Sequence, residues 1–88
     1  MPRILLVRHG ETSWNVEGRF QGLADIDLTP SGEEQAERAG IALARFVASG
    51  LAVGLVASSD LTRARKTAET LAAAVGAGAV RTEVRLRE

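Results

Sequence analysis

Residues Ile4-Leu5-Leu6-Val7 form an unbroken apolar run that stops abruptly at Arg8-His9-Gly10. A strand with one wet face alternates; a run apolar at every position asks for cover on both faces. That requirement points to a parallel sheet flanked by helices, and the segments that follow supply the pattern. Thr29-Pro30 opens a helix, with Thr as N-cap, Pro at the first helical position, and Glu33 and Glu34 at the positive dipole end. Ala36, Ala39, Gly40, Leu43 and Val47 fall at the spacing of one buried face, and Gly50 suits the position just past the helix end. Val53 to Ala57 reads as a second strand. Ser58-Ser59-Asp60 then caps a second helix that carries Leu61, Ala64, Leu71, Ala72 and Val75 on one face and stops at Gly76 or Gly78. Val80, Thr82, Val84 and Leu86 alternate with Arg81, Glu83, Arg85 and Arg87, which suggests a third strand or an extended edge. Strands alternating with helices predict an α/β fold with right-handed crossovers. Between Glu11 and Leu28 no period persists, and a long loop of this kind is usually functional.

Aromatic residues are limited to Trp14, Phe20 and Phe46, so the core has to be built from Ala, Leu and Val. Eleven basic residues balance eleven acidic ones, which argues against a nucleic-acid or acidic-membrane partner. The absence of Cys removes disulfides, cysteine zinc sites and a cysteine phosphatase mechanism together, and fits a cytoplasmic protein. No run reaches the length of a membrane span, and Met1-Pro2-Arg3 followed by four apolar residues is too short for a signal peptide.

His9 is the only histidine in the chain, and it falls where a buried strand ends. Open α/β sheets bind ligands at the carboxyl ends of their strands. A neutral imidazole is a competent nucleophile toward phosphorus. Arg8 beside it can hold a phosphate oxygen and disfavour imidazolium, and Gly10 lets the backbone approach a ligand closely. Asn15 and Gln21 offer amide donors nearby in sequence, Arg19 a fixed charge, and Trp14 a packing surface. The start of the second helix is a natural anion site at the same sheet edge, where Arg63 would complete a two-arginine clamp with Arg8. Arg65 and Lys66 read as solvated face. Gly76-Ala77-Gly78-Ala79 lacks the Lys and Ser/Thr of a phosphate-cradling loop.

Leu6-Val7-Arg8-His9-Gly10-Glu11-Thr12, Trp14-Asn15, Gly18-Arg19-Phe20-Gln21-Gly22 and Leu28-Thr29-Pro30-Ser31-Gly32 together resemble the start of the histidine phosphatase superfamily, in its phosphoglycerate mutase-like branch. Ser58-Ser59-Asp60-Leu61-Thr62-Arg63-Ala64 with Thr67-Ala68 resembles that family's second phosphate-pocket motif, and Leu86-Arg87-Glu88 the beginning of its third. The resemblance implies a three-layer, doubly wound parallel sheet, of which residues 1–88 would be the N-terminal part of one domain, truncated at the C-terminus. It implies His9 as the nucleophile of a phosphohistidine intermediate and Glu88 as general acid, then base. Arg8, Arg63, Asn15 and Gln21 would bind substrate, with no metal or organic cofactor. The partner would be a small phosphomonoester, and an exposed sheet edge leaves room for a homo-oligomer. Asp27 stands where the family often has Pro, which bears on the loop path. Family members run to roughly twice this length, the scale of one doubly wound domain, and supply a further pocket histidine. Gln21 after Phe20 favours phosphomonoester hydrolysis. The alternatives are mutase-type phosphoryl transfer and an inactive phosphate-binding fragment.

Overall fold

The computed structural model describes residues 4–87. A short helix α1 (Ser13–Val16) is followed by α2 (Pro30–Ala48), strand β1 (Ala57–Ser58), α3 (Thr62–Val75), strand β2 (Arg81–Thr82) and a 3₁₀ turn at Val84–Leu86. β1 and β2 pair in parallel, Ala57 opposite Arg81 and Ser58 opposite Thr82, with α3 as the crossover. The class is α/β with a small parallel sheet.

α2 begins as its sequence dictates. Thr29 caps it by accepting from Gly32 N at 3.0 Å, and Pro30 fills the first turn, where its missing N–H costs nothing. At its other end Ser49 leads into Gly50, whose φ of 115° a side chain would resist. The α2 face carrying Ala36 and Gly40 packs on α3; a Cβ at Gly40 would sit 3.0 Å from Ala74 Cβ, so the glycine sets how closely the helices cross. The core comprises Leu28, Ala36, Leu61, Ala68, Leu71 and Ala72. It is the expected Ala/Leu core, but the valines reach only half-burial.

Three expectations need correction. Ile4–Val7 pairs with no strand among the described residues, and Ile4 and Leu6 are 86% and 93% exposed. An apolar run is stable as a strand only when neighbours satisfy its backbone and cover its faces, and the described residues place none there. The second and third strands shrink to two residues each. After Thr82 the chain folds back, because the Glu83 carboxylate accepts from Arg85 N at 3.2 Å and starts the 3₁₀ turn. Finally, α3 starts at Thr62 and is not capped by Ser58-Ser59-Asp60. Asp25, far off in the loop, accepts from Thr62 N at 2.6 Å and from Thr62 Oγ1 at 3.0 Å. Its buried face is correspondingly Arg63, Thr67, Ala68, Leu71 and Ala72, with Ala64 half-exposed, and it stops at Gly76 in the left-handed conformation.

Candidate active site

Gly10 crosses the first turn of α2 backbone to backbone. A Cβ added there would lie 2.8 Å from the carbonyl carbon of Gly32, and one added at Gly32 would lie 2.7 Å from Glu11 N. The close approach that Gly10 permits is therefore to the α2 backbone rather than to a ligand. Thr29 reinforces the junction: its N–H donates to Glu11 O at 2.9 Å, and its hydroxyl to the Glu11 carboxylate at 3.0 Å. The cap of α2 and the end of the apolar run are one unit.

On that unit His9 is half-buried, with Nδ1 2.7 Å from Gly10 O. A carbonyl can only accept, so Nδ1 carries the hydrogen; in the neutral ring this leaves the lone pair on Nε2. Gly10 N in turn donates to Thr67 Oγ1 on α3 at 3.1 Å, and Thr67 Oγ1 donates to Arg63 O at 2.8 Å. The segment bearing His9 is thereby pinned to the helix bearing Arg63.

Arg63 is 1% exposed. Its guanidinium donates to Gly22 O at 2.8 Å and to Ala24 O, so the loop wraps over it. Two carbonyls take part of the hydrogen-bonding capacity of a five-donor fork. The positive charge is also felt by Asp25, whose carboxyl lies below its ordinary range because Thr62 N and Oγ1 donate to it, with Arg63 and Arg65 adding to the effect. Asp27 is lowered likewise, first by the Lys66 ammonium 2.7 Å away. Both carboxylates lace the loop to α3. Arg8 is exposed, and no hydrogen bond among the described residues joins it to Arg63. Arg65 lies on the exposed face as expected, whereas Lys66 is half-buried by its partner.

Asn15 and Gln21 meet at Thr12, which is fully buried. Thr12 caps α1 by accepting from Asn15 N at 3.2 Å, while Asn15 Oδ1 accepts from Thr12 N at 3.0 Å: a reciprocal capping box. Thr12 Oγ1 donates to Gln21 Oε1 at 2.6 Å. The carbonyl oxygens of both amides thus face the protein. Trp14 is half-buried with the Arg19 guanidinium stacked 4.0 Å from its ring centroid. Glu88 lies outside the described residues. Thr12 and Thr67 are the side chains that organise this region, and sequence reasoning gave neither a role. The signal for Thr12 was present in Thr12-Ser13-Trp14-Asn15, a capping box with Asn in the fourth place. The signal for Thr67 was its place one helical turn beyond Arg63.

The junction thus sets a histidine whose ring is fixed by its own backbone on a segment bonded to α3, the helix that carries a buried arginine, within an α/β protein. The chain belongs to the histidine phosphatase superfamily (branch 1), whose signature matches residues 4–88. It is 46% identical over its whole length to the probable phosphoglycerate mutase GpmB of Citrobacter koseri and 44% to that of Salmonella typhi. It spans 38% of each of these curated relatives, corresponding to their N-terminal part and short of the half expected from the resemblance. Among solved structures it resembles a mycobacterial glucosyl-3-phosphoglycerate phosphatase in complex with VO3, with TM-score 0.80 and 40% identity over 91% of this chain and 35% of that one. A phosphoglycerate mutase from Thermus thermophilus superimposes with TM-score 0.68 and 44% identity, over 92% of this chain and 40% of that one.

Proposed function

We propose that this chain carries the nucleophile half of a phosphomonoester hydrolase that works through phosphohistidine, as part of one larger histidine phosphatase domain. The observation that carries the reading is the His9 ring: Nδ1 is committed to Gly10 O, so the lone pair of the neutral ring is on Nε2. In the first step Nε2 attacks phosphorus, the bond from phosphorus to the ester oxygen breaks, and the leaving oxygen takes a proton from Glu88. In the second, Glu88 accepts a proton from water as the water oxygen attacks phosphorus; inorganic phosphate departs and the Nε2 lone pair returns. Arg8, the uncommitted N–H groups of Arg63, and the amides of Asn15 and Gln21 bind the phosphoryl oxygens. That is the kind of electrostatic positioning on which such transfers depend. No metal or organic cofactor takes part in this scheme, and the partner is a small phosphomonoester.

An aryl phosphate tests the first step, because a phenolate leaves with little help from an acid. Brief incubation with a phosphorus-labelled aryl ester, then denaturation, should yield an acid-labile, base-stable adduct. Undiminished label in His9→Ala would overturn the assignment. A second reading, mutase-type transfer back to substrate, is favoured by the curated relatives, which are named as probable phosphoglycerate mutases. Release of inorganic phosphate from phosphoglycerate supports hydrolysis; interconversion of phosphoglycerate isomers without release supports the mutase.

A further inference from the structure

One contact at the nucleophile is not used by the chemistry above. Thr67 is 4% exposed and sits one helical turn after Arg63. A hydroxyl has a single hydrogen, and here Arg63 O takes it at 2.8 Å, which leaves a lone pair to accept from Gly10 N at 3.1 Å. At the other end of the same residue, Gly10 O accepts from His9 Nδ1 at 2.7 Å. Gly10 is thus gripped at its N–H by α3 and read at its carbonyl by the imidazole. Glycine is the residue with the widest backbone freedom. Without the grip, the direction of that carbonyl would be left to packing against Gly32 and to Glu11 N, on the same peptide plane, which donates to Gln35 Oε1 at 2.9 Å.

We propose that Thr67 is a positioning residue: its hydroxyl fixes the Gly10 backbone and thereby holds His9 in the Nδ1–H tautomer with Nε2 free to attack. The consequence for attack rests on the reading of His9 as nucleophile, whereas the tautomer does not. Because the same hydroxyl is bonded to Arg63 O, it also registers the nucleophile against the helix that carries the buried guanidinium. A threonine that merely satisfied its own helix would bond Arg63 O and leave the imidazole untouched.

The two cases separate in long-range proton–nitrogen NMR of the His9 ring at alkaline pH, where imidazole is neutral. The wild-type chain should show the Nδ1–H tautomer. Thr67→Val, close in shape and lacking the hydroxyl, should shift the ring toward a mixture with Nε2–H, and Thr67→Ser should restore the wild-type pattern. Phosphorylation of His9 by phosphoramidate, followed by phosphorus NMR, should slow by about 10- to 100-fold in Thr67→Val, the scale of a misplaced reacting group, and recover in Thr67→Ser. A wild-type ring in the Nε2–H form, a folded Thr67→Val with an unchanged tautomer, or a folded Thr67→Ser that loses it would overturn the proposal. Should Thr67→Val fail to fold, Thr67→Ala, which also lacks the hydroxyl, is read in its place with the same outcomes. A wild-type chain with Nδ1–H intact and no phosphorylation at all would overturn the nucleophile and leave the positioning role standing.

Discussion

A methyl group added at Gly32 has nowhere to go, because the backbone of Glu11 already occupies the space. Gly32 lies in the first turn of α2, where helix propensity alone favours Ala by up to about 1 kcal/mol. Overpacking against backbone costs about 1–3 kcal/mol and cannot be relieved by a rotamer change. Gly32→Ala should therefore lower stability by about 1–2 kcal/mol in urea unfolding, against the sign of its propensity. Gly54→Ala, whose Cβ would meet open space at a φ outside the left-handed region, should leave stability unchanged or raise it by up to about 1 kcal/mol. Equal effects would show that the Gly10–Gly32 crossing is looser than described. At this scale the sequence announces His9 and Arg63 as special, because each stands at the start or end of an element where the residue type is out of keeping with its bland use. It does not announce the reason for Gly10. The partner backbone lies in another element, and nothing in the local composition names it. Thr12 and Thr67 stay hidden for a related cause: threonine caps and back-bonds so often that one more passes as ordinary.

Between elements, the loop from Arg19 to Leu28 is held to α3 largely by acids. Asp25 accepts from Thr62, Asp27 pairs with Lys66, and at the same end of α3 as Asp25, Asp60 receives both Nε and Nη2 of Arg87. All three carboxyls are lowered from their ordinary values, Asp60 chiefly by the Arg87 hydrogen bond. A lowered folded value means that the contribution to stability is complete above the ordinary aspartate range and is lost as pH falls through the lowered value. The loop should accordingly loosen from α3 at a pH below about 4, first seen as faster hydrogen exchange at Thr62 N. Asp25→Asn keeps an acceptor for that amide but cannot titrate, so exchange at Thr62 should lose most of its acid dependence. An unchanged pH profile in Asp25→Asn would remove Asp25 from this role. The start of α2 is legible because its cap, its proline and its acidic first turn are adjacent in the chain. The start of α3 is not, because its cap comes from Asp25, and a non-local acceptor competes successfully with the local serines.

For the whole molecule, the central question is what covers Ile4 to Val7. Leu5 and Val7 are 56% and 51% exposed and Leu55 60%, so the apolar run and the segment leading into β1 are both uncovered. Apolar residues exposed in a contiguous run mark an interface, and a run apolar at every position is what a central strand offers to neighbours on both sides. That is why the run reads as a strand while the described residues give it no ladder: the pattern reports the surroundings a segment is built for. None of the described helices is long and apolar enough to cross a membrane. The curated relatives extend well past the 38% of their length matched here. As an 88-residue polypeptide, the chain should therefore bind hydrophobic dyes and sediment as a self-associating species, and Leu6→Lys should weaken both behaviours. Turnover follows from the same geometry. On the proposed reading Arg8, His9 and Arg63 accept the phosphoryl group, but hydrolysis of phosphohistidine needs a base held within about 3 Å of the attacking water. The surroundings that hold that base are, on the same reading, shared with the rest of the domain, and this chain spans 38% of its curated relatives. Labelling of His9 without sustained release of phosphate is the expected result. A folded, dye-free monomer that turns over an aryl phosphate at rates typical of enzymes, about 1 to 10³ per second, would show that the uncovered run needs no partner and that residues 1–88 suffice for the complete reaction.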